Sequence, residues 1–131
     1  MKNIIVILIF NLITVSSFSQ TQLAINQNED IKFKTADNEL NITYKKILKE
    51  YKSDTAFLKN LKISQGLWIK FRDAEMKTRY PDRENGYYGS SQSTCWSNYL
   101  TQLTNQRTKT LKIWLVGISE GDICAGSIKT K

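Results

Sequence analysis

Histidine does not occur in this chain. Its absence removes the commonest general base and the commonest metal ligand. Cysteine occurs only twice, at Cys95 and Cys124, which is too few for a zinc site without other ligands. Those two thiols also define the one intramolecular disulfide the chain can form. Proline occurs once, at Pro81, so every other stretch is free of that helix breaker. Long apolar runs are equally scarce. The only one, Ile4 to Val15, is well short of the roughly 20 residues a membrane-spanning helix needs.

These absences weigh against catalysis. A Ser, Cys or Thr nucleophile has no histidine to activate it. Asp73 and Glu75 lie two apart in a helical stretch, so their side chains diverge and cannot form the facing pair of carboxylates that glycoside hydrolysis uses. The chain reads as a non-enzyme with no cofactor and no metal.

What is present suits one small exported domain. The 131 residues are enough for a single core. Met1-Lys2-Asn3, the apolar run and Ser17-Phe18-Ser19 have the order of a cleaved secretory signal over residues 1–19. On this reading no transmembrane anchor is left after cleavage, and the domain resides in the periplasm or outside the cell. Lysine and arginine number 19 against 12 acidic residues, a net charge of +7, of which the signal carries only Lys2. A basic exported domain attracts an anionic envelope polymer or lipid rather than nucleic acid.

Residues 20–34 are polar with scattered apolar positions and read as a mobile leader. Helical periodicity begins near Thr35. Leu40, Tyr44, Ile47, Leu48 and Tyr51 share one face, opposite Lys45, Lys46, Lys49 and Glu50. Ser53 or Asp54 can cap a second helix that ends before Pro81, with Phe57, Leu58, Leu61, Leu67, Trp68 and Phe71 on its apolar side. Gly66 inside it suggests close approach of a neighbouring helix. Residues 81–93 hold turn signals and no period, so they read as a long loop. Its Tyr87 and Tyr88, with Arg83, are the candidate binding residues, set against the plainer reading that they only cover the core.

A third helix, with Ser93 or Thr94 as cap, carries Trp96, Tyr99, Leu100, Leu103, Arg107, Leu111 and Trp114 at steps of three and four. Residues 35–116 therefore predict an all-α bundle, a long antiparallel helical hairpin plus a third helix. Residues 117–131 read as an extended tail. A Cys95–Cys124 disulfide would tether that tail, provided the third helix stops near Ile113. If it ran to Val116 it would carry the chain about 32 Å from Cys95, more than eight extended residues can recover at about 28 Å.

The motifs E-L-N-x-x-Y at Glu39 to Tyr44, L-K-x-x-Q-x-x-W-x-x-F-R-D-A-E at Leu61 to Glu75, and C-W-x-x-x-L-T-x-x-x-x-x-R at Cys95 to Arg107 occur in this order. Together they resemble the lysozyme inhibitor LprI-like domain family over roughly residues 35–111. The resemblance implies a small helical domain exported by bacteria, with lysozyme or another peptidoglycan hydrolase as partner. The family has cysteine where this chain has Met76, and Cys124 would then be a relocated partner for Cys95.

Two readings of Gln65, Trp68, Arg72, Asp73 and Glu75 stand side by side. They form an exposed recognition stripe, or they hold the bundle together, with Trp68 in the core, Arg72 paired to a carboxylate of the first helix such as Glu39, and Gln65 satisfying a buried backbone group or Asn41. Two functions follow as well: inhibition of a peptidoglycan-cleaving enzyme, or an envelope module whose Lys45, Lys46, Lys49, Lys52, Lys59 and Lys62 meet an anionic glycan or lipid.

Overall fold

The computed structural model describes the backbone of residues 2–131 and the side chains of residues 21–131. Three helices make up the fold: α1 (Lys2–Glu50), α2 (Thr55–Arg79) and α3 (Gln92–Val116). The cleaved-signal reading of residues 1–19 falls outside the residues whose side chains are described. Among the described residues no helix is long and apolar enough to cross a membrane.

The segment 20–34, expected as a mobile leader, is helical and continuous with α1. Its polar residues are the reason the periodicity was hard to see. Gln22, Asn26, Glu29, Phe33, Ala36, Leu40, Thr43, Ile47 and Tyr51 recur at steps of three and four, and all are at least half-buried. The matching stripe on α3 is Thr94, Ser97, Thr101, Thr104, Thr108, Leu111 and Leu115. Contacts rise together along both chains: Asn26 with Thr94, Glu29 with Asn98, Glu39 with Lys112, and Tyr51 with Trp114. Helices α1 and α3 are therefore parallel.

They also form the closest pair, because Ala36, Thr43, Ser97, Thr104 and Thr108 are buried between them and keep little bulk on the seam. Helix α2 runs antiparallel to both, with Arg72 reaching Asp37 and Gln65 reaching Arg107. The expected antiparallel hairpin is present, and the third helix is the closest partner of the first.

Local chemistry sets the ends. Asp54 caps α2 by accepting the Phe57 N–H at 2.9 Å. Pro81 stops α2, whose last N–H, from Tyr80, donates to the Met76 carbonyl at 2.9 Å. Neither Ser93 nor Thr94 caps α3, which starts at Gln92 and so holds both in its first turn, and the Thr94 hydroxyl is turned to Asn26 and Gln22 on α1. At the other end of α3, Gly117 adopts φ +82° and its N–H donates to the Ile113 carbonyl at 2.8 Å. A Cβ at Gly117 would lie 2.8 Å from the Lys129 carbonyl oxygen, so only glycine permits the close return of the tail.

That tail is folded back by turns. Ile118 and Thr130 form an isolated parallel bridge, and the Trp114 indole N–H donates to Ser127 at 3.1 Å. The disulfide is corrected too: Cys95 and Cys124 are both free and exposed. Helix α3 does run to Val116, about 32 Å beyond Cys95, and the tail closes on the far end of the helix.

The apolar core sits at the end where α1 finishes and α2 begins. Leu40, Ile47, Leu61 and Leu111 are buried there, with Tyr44, Leu48, Tyr51, Phe57, Trp68, Trp114 and Leu115 packed around them. Gly66, expected under a neighbouring helix, faces open space; a Cβ there would meet no atom within 4 Å.

Two substitutions test this packing by urea unfolding. Gly66→Ala should raise stability by about 1 kcal/mol, since it adds helix propensity and removes no contact; a loss would mean that the backbone there is covered. Thr104 is fully buried, and among the described residues its hydroxyl has no partner. Thr104→Val should accordingly stabilise by about 1–2 kcal/mol, and a loss would reveal a hydrogen bond to that hydroxyl.

Candidate functional site

The loop between α2 and α3 is built on an aromatic ladder that begins in the helices themselves. Trp96, in the first turns of α3, lies 5.6 Å from the ring of Tyr80 at the end of α2. Tyr80 meets Tyr88 edge-on at 5.7 Å, and Tyr88 meets Tyr87 edge-on at 5.0 Å. These are the favoured edge-to-face arrangements of aromatic rings. The Tyr88 hydroxyl donates to the Pro81 carbonyl at 2.7 Å, which closes the loop across its base. Turns at Gly86 (φ +85°) and Gly89 (φ +71°) bring the chain round, a conformation glycine adopts without steric cost.

Tyr87 therefore stands at the outer end of the ladder, 63% exposed, with the Arg83 guanidinium 5.7 Å from its ring centre. A cleft of about 270 Å³ runs beneath, lined in part by Lys77, Tyr80, Glu84, Tyr88 and Trp96. The three candidate residues Arg83, Tyr87 and Tyr88 are thus brought together, and they divide the work: Tyr88 anchors while Tyr87 and Arg83 protrude. Tyr80 and Trp96, which complete the ladder, were not singled out by sequence. The signal was available, since both are aromatic residues flanking the loop.

The motif residues lie elsewhere, between the helices. The Arg107 Nε donates to the Gln65 Oε1 at 3.0 Å and one terminal nitrogen to Ser64 at 3.1 Å. Trp68 has the Arg72 guanidinium 5.3 Å and that of Arg107 6.0 Å from its ring centre. Arg72 pairs at 3.5 Å with Asp37 and at 3.4 Å with Asp73, not with Glu39. Asp37 lies on the side of α1 that faces α2. Two residues further on, about 200° around the helix, Glu39 points instead to Lys112 of α3.

Asn41 donates to Asp37, so Gln65 is left to Arg107. Tyr44 packs into the core. Glu75 accepts the Tyr99 hydroxyl at 2.8 Å, and Arg79 covers the same ring at 4.0 Å. The Glu75 carboxylate, first among the causes, raises the Tyr99 phenol above its usual value. Burial lowers the Arg107 guanidinium from its ordinary value.

Among the described residues no group of histidine, cysteine or carboxylate side chains is placed to hold a metal ion. The arrangement offers a pinned aromatic and cationic projection at one end of the bundle. This is a small all-α helical domain. Residues 15–111 match the family Lysozyme inhibitor LprI, most of the chain, and the protein belongs to that family. No curated protein and no solved structure matches the chain. The match begins some 20 residues before the motifs quoted above, consistent with α1 continuing into that segment.

Tyr88→Phe should lower stability by about 1 kcal/mol, the contribution of a typical hydrogen bond. It should also speed amide exchange across Glu84–Gly89. Exchange unchanged in that variant would mean that another contact holds the loop.

Proposed function

We propose that the protein is an exported inhibitor of lysozyme or of a related peptidoglycan-cleaving enzyme, and that it acts by inserting the tyrosine loop into the enzyme's cleft. The observation that carries this reading is the exposed Tyr87 beside Arg83, on a loop pinned by Tyr88, in a chain of the lysozyme inhibitor LprI family. Aromatic and arginine side chains dominate binding energy when they are presented pre-organised, because little rotamer freedom remains to be lost. An inhibitor needs no catalytic group of its own.

The distribution of charge supports this reading. Host lysozymes are strongly basic, and a mature domain of net charge +6, the chain's +7 less Lys2, would meet them against repulsion. Yet Lys45, Lys46, Lys49, Lys52, Lys59 and Lys62 are all exposed around the junction of α1 and α2. The loop follows α2, whose 25 residues extend about 37 Å. The Debye length is about 8 Å at physiological salt, so those lysines exert little force at the loop. There Asp82 and Glu84 partly offset Lys77, Arg79 and Arg83.

The lysine-rich end favours a second reading, an envelope module that meets an anionic glycan or lipid. Among the described residues none of these six lysines pairs with a carboxylate.

The test is lysis of peptidoglycan by lysozymes of differing charge, with and without the mature domain, at low and physiological salt. The tyrosine plug predicts inhibition that survives physiological salt and falls at least tenfold with the double substitution Tyr87→Ala, Tyr88→Ala. No inhibition of any enzyme would sink the inhibitor reading. Binding to anionic vesicles or glycans that collapses with salt would then establish the second one.

A further inference from the structure

Helix α2 stands off from α3 near its N-terminal end, and a groove of about 420 Å³ opens between them. That is at the small end of the usual range for ligand sites, about 300–1,000 Å³. Phe57, Leu61, Leu111 and Trp114 supply apolar walls, and the folded-back tail closes one side with Ser127, held by the Trp114 indole. Arg107 is the only cation on the lining.

Its setting differs from that of Arg72. Arg72 has the carboxylates of Asp37 and Asp73, whereas the hydrogen-bond partners of Arg107 are the neutral side chains of Gln65 and Ser64. Among the described residues no carboxylate pairs with Arg107. Asp54, the one acid on the lining, already accepts the Phe57 N–H as the cap of α2. A guanidinium carries five N–H donors in a planar fork that matches a carboxylate, and two of its nitrogens are held by neutral acceptors that fix its direction. Removal from water strengthens its attraction for an anion.

We propose that this groove is a binding site for a small monocarboxylate with an apolar body about the size of one aromatic ring. The carboxylate meets Arg107 and the body lies against Phe57, Leu61, Leu111 and Trp114. A single cation beside the apolar walls of Phe57, Leu61, Leu111 and Trp114 suits a single negative charge; a phosphate dianion would leave charge uncompensated. The site is independent of the tyrosine loop, which follows the opposite end of α2, so inhibition and acid binding stand or fall separately.

The experiment is a titration of the full mature chain followed by the indole N–H signals of Trp68, Trp96 and Trp114 in ¹H–¹⁵N spectra. The probes are 3-phenylpropionate and its amide, and the peptide Gly-Gly-Phe with a free or amidated C-terminus. The peptide pair shows whether the acid is taken as a free molecule or as a chain end.

The site predicts saturable shifts at Trp114 and Trp68 with 3-phenylpropionate, at a Kd of about 1 mM, the affinity expected of a ligand of this size. Trp96, in the aromatic ladder, should not move. The amide should bind at least tenfold more weakly. Arg107→Gln should lose binding at least tenfold, Arg107→Lys should retain part of it, and Tyr87→Ala should retain all of it. Asn60→Trp fills the groove from an exposed position on its rim and leaves Arg107 in place, so it should abolish binding in a domain of unchanged circular dichroism. Equal binding of acid and amide, failure to saturate, shifts centred on Trp96, or undiminished binding by Arg107→Gln or a folded Asn60→Trp would each overturn the proposal.

Discussion

Two helices that run in the same direction, α1 and α3, make the closest contact in this protein, and the geometry of the rest follows from that seam. Small buried residues, Ala36, Thr43, Ser97, Thr104 and Thr108, permit the approach. Parallel neighbours cannot be joined by a short turn, so the chain must travel back along their length before α3 can start. Helix α2 is that return path. Because α1 and α3 already cover each other, α2 packs on the pair at a greater distance, with Leu61 and Met76 its only buried residues. Long side chains span the gap: the Arg72 and Arg107 guanidinium groups approach the Trp68 ring, Arg72 reaches Asp37, and Arg107 reaches Gln65. The groove at Arg107 opens in this gap.

The seam also gives the bundle two unlike ends. Toward the C-terminal ends of α1 and α3 it becomes apolar, with Leu40, Ile47 and Leu111 buried and the tail folded over Trp114. Toward the start of α3 it is polar, with Gln22, Asn26 and Glu29 hydrogen-bonded to Thr94 and Asn98. In that half the loop of residues 81–91 is held by rings rather than by aliphatic packing. A projection supported in this way keeps its shape while leaving Tyr87 in water. Lys45, Lys46, Lys49, Lys52, Lys59 and Lys62 gather at the opposite end, away from Tyr87.

Much of this was legible in the residues. Leucine, tryptophan and tyrosine at steps of three and four marked α2 and α3, because apolar burial imposes the helical period wherever large side chains carry it. Asp54 and Pro81 marked the ends of α2 through capping and a missing donor. The loop and its Tyr87, Tyr88 and Arg83 were visible for the same reason, as turn residues without a period. Residues 20–34 were not, since Gln22, Asn26 and Glu29 are buried by hydrogen bonds to another helix, and polarity in a sequence does not announce a partner. Arg72 was correctly placed between helices and paired to a carboxylate of α1, but that carboxylate is Asp37 and not the Glu39 given as the example. The choice between Glu39 and Asp37 depends on which side of α1 faces α2, a rotation that no spacing within α1 encodes.

The sequence by itself determined the helical class, the approximate span of α2 and α3, the family, and the poverty of catalytic groups, because each of these depends on residue type and local period. The tertiary structure decided the rest: that α1 and α3 are the parallel pair, that Cys95 and Cys124 lie at opposite ends of α3 and stay unbridged, that the tail closes at Gly117, and that Arg107 lines a groove with Gln65 and Ser64 as its hydrogen-bond partners. Those outcomes depend on distances between segments far apart in the chain. They were settled by how closely small residues let two helices approach and how far long ones had to reach.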